Sequence, residues 1–235
     1  MIPLKDENET QKKCYIRLVI LFICTLVFFF QILSSDNNYW IYFFGFKPLS
    51  LFQNVTYPSF PGYLTLITSL FLHGGWMHFL GNMLYLWIFA DNIEDDLGTL
   101  NFVIFYFVCG VGAAMSQVLV DVNSQIPMIG ASGAIGGVLG AYLINYPNAR
   151  VLVLIPFGFF SQLIKIRSLY VLGFWFVLQF INSFLSSSSG GGVAYAAHIG
   201  GFITGIILIL FFNKRNKKRI YKSKVKKTNK GPWEQ

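Results

Sequence analysis

At 235 residues the chain is long enough for one or two soluble domains. Its composition argues against either: charged residues make up 12%, about half the ~25% of an average soluble protein, and 25 Phe with 12 Tyr are more than a compact polar surface could cover. A disordered chain, a nucleic-acid module and an ordinary cytosolic enzyme are excluded. The net charge of +8 is local, since ten of the 18 Lys and Arg lie between Lys214 and Lys230, a tail that suits anionic lipid headgroups better than RNA.

Apolar runs of bilayer-spanning length, ~20 residues for ~30 Å of hydrocarbon, occupy Cys14 to Leu33, Leu100 to Val120 and Val193 to Phe212. Shorter runs lie at Trp76 to Ile93, Ser132 to Tyr146 and Leu169 to Leu185. The pattern predicts an all-α polytopic membrane protein with six helices. Its parts are a cytoplasmic segment 1–13, a helical domain 14–212 and a basic cytoplasmic tail 213–235. The first run ends in polar residues without a small-x-small site, so it reads as a retained helix.

With both termini inside, every basic residue except Lys47 falls on the inner side, as the positive-inside rule requires. Asp91, Glu94, Asp95 and Asp96 form one dissenting acidic loop. The stretch from Ser34 to Gly75 carries Tyr39, Trp40, Tyr42, Phe43, Phe44 and Phe46, the residue types that gather at the bilayer interface. Pro48, Pro58 and Pro61 would divide it into short pieces. Val151 to Phe160, apolar but interrupted by Pro156 and Gly158, reads as an inner interfacial segment, and Ser186 to Gly192 as a flexible outer loop. Cys14, Cys24 and Cys109 form no readable disulfide framework.

Polar side chains inside spans are costly and therefore point to function. They are His73, His78, Asn82, Gln117, Ser132, Gln179, Asn182 and His198. The second, fourth and sixth predicted helices all run from outside to inside, which puts His73, His78, Asn82, Ser132 and His198 at one depth. His78 and Asn82, four apart, share a helix face; in isolation they could equally be fastening hydrogen bonds between helices, worth ~0.6 kcal/mol each. Ser132 could be a plain N-cap. Yet its helix, 15 residues to Tyr146, spans only about 22 Å, so it must begin below the outer surface, where irregular backbone needs protein or a water-filled cavity around it. Gly133, Gly136, Gly137 and Gly140, with Gly201 and Gly205 on the sixth helix, permit close helix approach. That approach would bring His198 to Ser132, a nucleophile beside a base. A zinc site lacks an H-E-x-x-H pattern around His73 and His78, whose spacing of five would separate them around a helix, and a phosphate loop is absent.

Gly130 Ala131 Ser132 Gly133, His78 Phe79 Leu80 Gly81 Asn82 and Ala197 His198 Ile199 Gly200 Gly201, on three helices, closely resemble the rhomboid intramembrane serine proteases. The resemblance covers Tyr15 to Phe212 and includes the Glu94 and Leu97 Gly98 turn. It implies the six-helix rhomboid bundle with a short central fourth helix and an interfacial first loop. It also implies cleavage of single-pass or polytopic membrane proteins in or near their spans, without metal or cofactor and with no nucleic-acid partner. Ser132 would be nucleophile and His198 general base; His78, Asn82 and the Ser132 N–H would form the oxyanion hole; His73, Gly130, Gly133 and Gly201 would be structural. The implied location is multi-pass in the plasma membrane, with lipids as neighbours. Gly136 stands where many relatives carry an aromatic against the catalytic histidine, leaving open how His198 is held, and the Trp-Arg pair of some bacterial first loops is missing. The alternative is a rhomboid-like pseudoprotease that binds membrane helices without cutting; a transporter would show inverted repeats, and none is seen.

Overall fold

The computed structural model describes residues 1–55, 59–157, 160–185 and 192–228. Pro58, Gly158, residues 186–191 of the Ser/Gly patch and residues 229–235 lie outside them, as do the side chains of the basic tail from Lys214 onward. The elements in chain order are β1 (Ile2–Asp6), α1 (Ile16–Leu33), α2 (Asn37–Phe44), α3 (Gly62–Thr68), α4 (Trp76–Leu97), α5 (Thr99–Val120), α6 (Ser132–Asn145), β2 (Arg150–Phe157), β3 (Phe160–Arg167), α7 (Ser168–Leu185) and α8 (Tyr195–Thr228). Short 3-10 turns at Pro48–Leu51 and Ser69–Phe71 flank α3.

Helices stand at all six predicted places. Four are long and apolar enough to cross a membrane: α1, α5, α7 and the Tyr195–Asn213 part of α8. α4 has 22 residues, but its end carries the acidic quartet. α6, with 14 residues, is about 21 Å long at ~1.5 Å per residue.

The all-α expectation needs correction. The segment from Val151 is strand, and β1, β2 and β3 form an antiparallel three-stranded sheet. Val151 and Val153 are buried at alternate positions, the period of a half-buried strand. A run this short with Pro156 gives no span signal, and its pairing partner β1 comes from the far end of the chain: Ile2 pairs with Leu154 and Asp6 with Val151. Such a partner is invisible to local patterning.

The dissenting acids are matched by Lys12, the first turn of α1 and the end of α6. Arg17 pairs with Asp91 at 3.0 Å and Lys12 with Asp95 at 3.3 Å. Glu94, buried, accepts both the Ile16 and Arg17 N–H at 2.9 Å, which places a carboxylate on the otherwise unpaired donors at the start of α1. Asp96 accepts from Asn145 Nδ2 and the Tyr146 hydroxyl. Gly98, the one residue between α4 and α5, has φ +75°, which lets the chain reverse in so short a space.

α6 is the centre of the bundle. Every residue from Gly133 to Tyr142 is buried, between α4, α5, α7 and α8. A Cβ on Gly201 would overlap the Gly133 carbonyl, and one on Gly205 the Gly137 carbonyl. The α6 and α8 backbones therefore touch, the arrangement small residues allow between apolar helices. α5 meets α8 through Gly112 against Thr204 and Gly200 against Ser116. All three cysteines are free.

Near the C-terminal end of α6 the Tyr142 hydroxyl donates to Asp6 Oδ2 at 2.6 Å, tying the sheet to that helix. Burial pushes the Asp6 carboxyl above its ordinary range, more than the Tyr142 hydrogen bond lowers it. The folded state therefore favours protonated Asp6, and the ionised form costs stability above the carboxylate range but not below it. Asp6→Asn is accordingly expected to melt above the parent at about pH 8, with the gap closing by about pH 4. Thermal melts at the two pH values check this; a gap that widens on acidification contradicts it.

Candidate active site

Ser132 is the first residue of α6. Gly130, two residues earlier, has φ +114°, a conformation that suits only glycine, and its N–H donates to the Ser69 carbonyl at 2.9 Å. The segment before it is pinned to the first loop, where Phe46 and Met128 exchange backbone hydrogen bonds of 3.0 and 2.7 Å. The approach to Ser132 is thereby fixed on both sides.

Ser132 Oγ and His198 Nε2 lie 2.8 Å apart, brought together by the Gly133–Gly201 approach one turn further along. On its other side His198 Nδ1 lies 2.8 Å from Gln179 Oε1 of α7. The Gln179 amide is oriented by its NH2, which donates to the Trp175 carbonyl at 3.2 Å. Its oxygen can only accept, so Nδ1 carries the ring proton and Nε2 is free to accept from the serine hydroxyl.

His78 and Asn82 share one face of α4. His78 Nδ1 accepts the Gly74 N–H at 3.3 Å, which leaves its proton on Nε2. That nitrogen would lie 2.5 Å from a Cβ built on Gly130, and Asn82 Nδ2 3.4 Å from it. Two N–H donors thus converge on the backbone just before Ser132. Asn82 is buried, and its Nδ2 has no acceptor among the described residues.

His73 lies before α4 rather than within it, so the spacing of five does not separate it from His78: their rings meet edge to face at 5.2 Å. Its fully buried ring also packs against Phe28 and Phe79. Gln31 of α1, equally buried, holds its backbone from both sides, accepting the His73 N–H at 3.0 Å and donating to the His73 carbonyl at 3.2 Å. Gly133 packs on Ala113, where a Cβ would come within 2.6 Å of the alanine methyl.

Ser132, His198, His78, Asn82 and Gly130 therefore occupy one place, with His73, Gly133 and Gly201 packed around it. Gln31 and Trp175 escaped the sequence reading, and Gln179 was named there among the polar residues of the spans but not as a member of the site. The signal was there: each Gln is an amide in an apolar helix, and Trp175 and Gln179 are one turn apart. Among the described residues no group of three or more His, Cys, Asp or Glu is arranged to hold a metal ion.

The Rhomboid domain profile matches residues 61–215. The chain belongs to the rhomboid family. It is 27% identical over 225 residues to Rhomboid-like protein 11, chloroplastic, of Arabidopsis thaliana, covering 89% of this chain and 70% of that one. It is 30% identical over 214 residues to Rhomboid protease GluP of Bacillus subtilis, covering 87% and 38%. With Rhomboid protein 1, mitochondrial, of Saccharomyces cerevisiae it shares 27% over 165 residues, 66% of this chain and 44% of the relative. The chain spans less than half the length of these last two. Family and membrane-length helices together make it an integral membrane rhomboid.

The touching helices give a stability prediction. Gly201→Val drives a side chain into the Gly133 carbonyl, and is expected to lose the cooperative melt or lower it by more than about 3 kcal/mol. Gly173→Ala on α7, where a Cβ meets nothing within 4 Å, is expected to stay within about 1 kcal/mol of the parent. Equal melts for the two variants contradict the close α6–α8 contact.

Proposed function

We propose that this rhomboid is an intramembrane serine endopeptidase that cleaves peptide bonds in or near the transmembrane segments of other membrane proteins. The observation that carries the reading is the 2.8 Å contact between Ser132 Oγ and His198 Nε2. In this reading Ser132 Oγ attacks the scissile carbonyl carbon while its proton passes to His198 Nε2. The carbonyl oxygen takes up negative charge beside His78 Nε2–H, Asn82 Nδ2–H and the Ser132 N–H. These donors are oriented before the charge forms, in surroundings that exclude most water. Collapse of the tetrahedral intermediate breaks the C–N bond, and His198 returns the proton to the leaving amine. A water, activated by the same imidazole, then hydrolyses the acyl-serine.

The same reading sets the chain in the membrane. α1, α4, α5, α6, α7 and α8 are the six spans, with 1–13 and 213–235 on the cytoplasmic side of domain 14–212 and the aromatic first loop at the outer interface. The matched pairs Arg17–Asp91 and Lys12–Asp95 support that orientation, because they remove the charge objection of the acidic quartet. The plasma membrane is the proposed location, and anionic lipid headgroups the proposed neighbours of the tail.

Purified protein in proteoliposomes is expected to cleave a generic transmembrane substrate, and Ser132→Ala and His198→Ala to abolish cleavage while keeping the parent's melt. No cleavage by the intact protein across several substrates would favour a helix-binding pseudoprotease. Asn82→Ala is expected to lower kcat by about 100-fold or more, the weight of one oxyanion donor, with a far smaller effect on the melt; parallel loss of fold and activity contradicts its role. Only the neutral imidazole accepts the serine proton, so kcat/KM is expected to rise with pH to a plateau. A profile that falls as the imidazole loses its proton contradicts His198 as base.

A further inference from the structure

Resting on the protease reading, one feature of α7 goes beyond it. Trp175 and Gln179, four apart, present one helix face to His198. Gln179 is buried, and its oxygen accepts the Nδ1–H hydrogen bond at 2.8 Å. The Trp175 ring lies tilted against the imidazole, centroids 5.8 Å apart and planes at 33°. On the far side Tyr195 meets the same imidazole edge-on at 6.3 Å. At position 136 a Cβ would lie 3.0 Å from the His198 carbonyl oxygen and 3.7 Å from Trp175 Cη2. Trp175 thus occupies the space beside Gly136, and α7 supplies the ring that faces His198.

We propose that Gln179 and Trp175 are the positioning residues of the reaction, Gln179 fixing His198 as the Nδ1–H tautomer and Trp175 fixing the plane of its ring, so that Gln179 stands third behind Ser132 and His198 without taking the proton. The chemistry favours an amide here. A third member must accept one hydrogen bond from Nδ1, and a carboxylate would do so at the cost of a buried charge in an apolar bundle. The amide accepts without that cost, and the Trp175 carbonyl, by accepting from its NH2, holds its oxygen turned toward Nδ1. Without the Gln179 oxygen the imidazole could carry its proton on Nε2 and donate to Ser132 rather than accept from it, the wrong tautomer for a base.

Two variants separate positioning from packing. Gln179→Met has similar length and volume but no strong acceptor; Gln179→Glu keeps an acceptor oxygen. The expected result is a fall in kcat of about tenfold or more for Gln179→Met with KM within about twofold, and recovery to within about threefold of the parent in Gln179→Glu. Trp175→Leu is expected to lower kcat more than Trp175→Phe, which keeps a ring. Independently of turnover, 15N NMR of histidine-labelled protein is expected to show His198 with its proton on Nδ1 in the parent and a mixed or Nε2–H population in Gln179→Met. Equal loss in the Met and Glu variants, or an unchanged His198 tautomer in Gln179→Met, overturns the proposal. A parent protein that cleaves nothing yet keeps the Nδ1–H tautomer, lost in Gln179→Met, would refute the protease reading while sustaining the placement of Gln179.

Discussion

The contact on which the molecule depends is backbone against backbone: the Gly201 and Gly205 face of α8 lying on the Gly133 and Gly137 carbonyls of α6. No other residue at these positions would let the two helix axes come so close. Apolar helices in a lipid-like setting gain little from hydrophobic burial against one another, so close packing and interhelical hydrogen bonds must hold them. The glycines serve both ends. They seat the short central helix, and they place the first residue of α6 within hydrogen-bond reach of the His198 ring on α8. Trp175 of α7 fills the space beside Gly136, which makes α7 the third wall of the site.

Around that contact the polar groups are arranged so that little net charge is buried. The amides of Gln31, Asn82 and Gln179 do work that soluble proteins often give to carboxylates. Gln31 clasps the His73 backbone, Gln179 meets His198, and Asn82 points an unused N–H beside Gly130. The carboxylates cluster instead at the C-terminal end of α4, where Arg17, Lys12 and the N–H groups at the start of α1 receive them. Removing either half of such a pair would leave the other half unmatched.

Much of this was legible in the residues. Six apolar runs became six helices because their lengths and compositions admit little else. Ser132, His78, Asn82 and His198 stood out because each is polar in an apolar segment, and spacing put them at one level. The sheet was missed in two ways: the β2–β3 hairpin lies in one local window but Pro156 and Gly158 interrupt its apolar run, and β1, the third strand, lies at the other end of the chain. The role of Gln179 was hidden for a related reason. A lone amide on a predicted helix names no partner, and only the rotation of α7 against α8, set by packing, shows that it faces His198. The close meeting of His73 and His78 depended on where α4 begins, a boundary that the Gly74 Gly75 pair shifts past His73.

The central claim is that Ser132 is an activated nucleophile inside the bundle. Reaction of the folded, membrane-reconstituted protein with a fluorophosphonate probe, followed by mass-spectrometric mapping, tests it most directly because it needs no knowledge of the substrate. The account predicts one adduct, on Ser132, which disappears in His198→Ala while the melt is retained. No adduct on folded protein, or labelling of Ser132 that survives loss of His198, would contradict it.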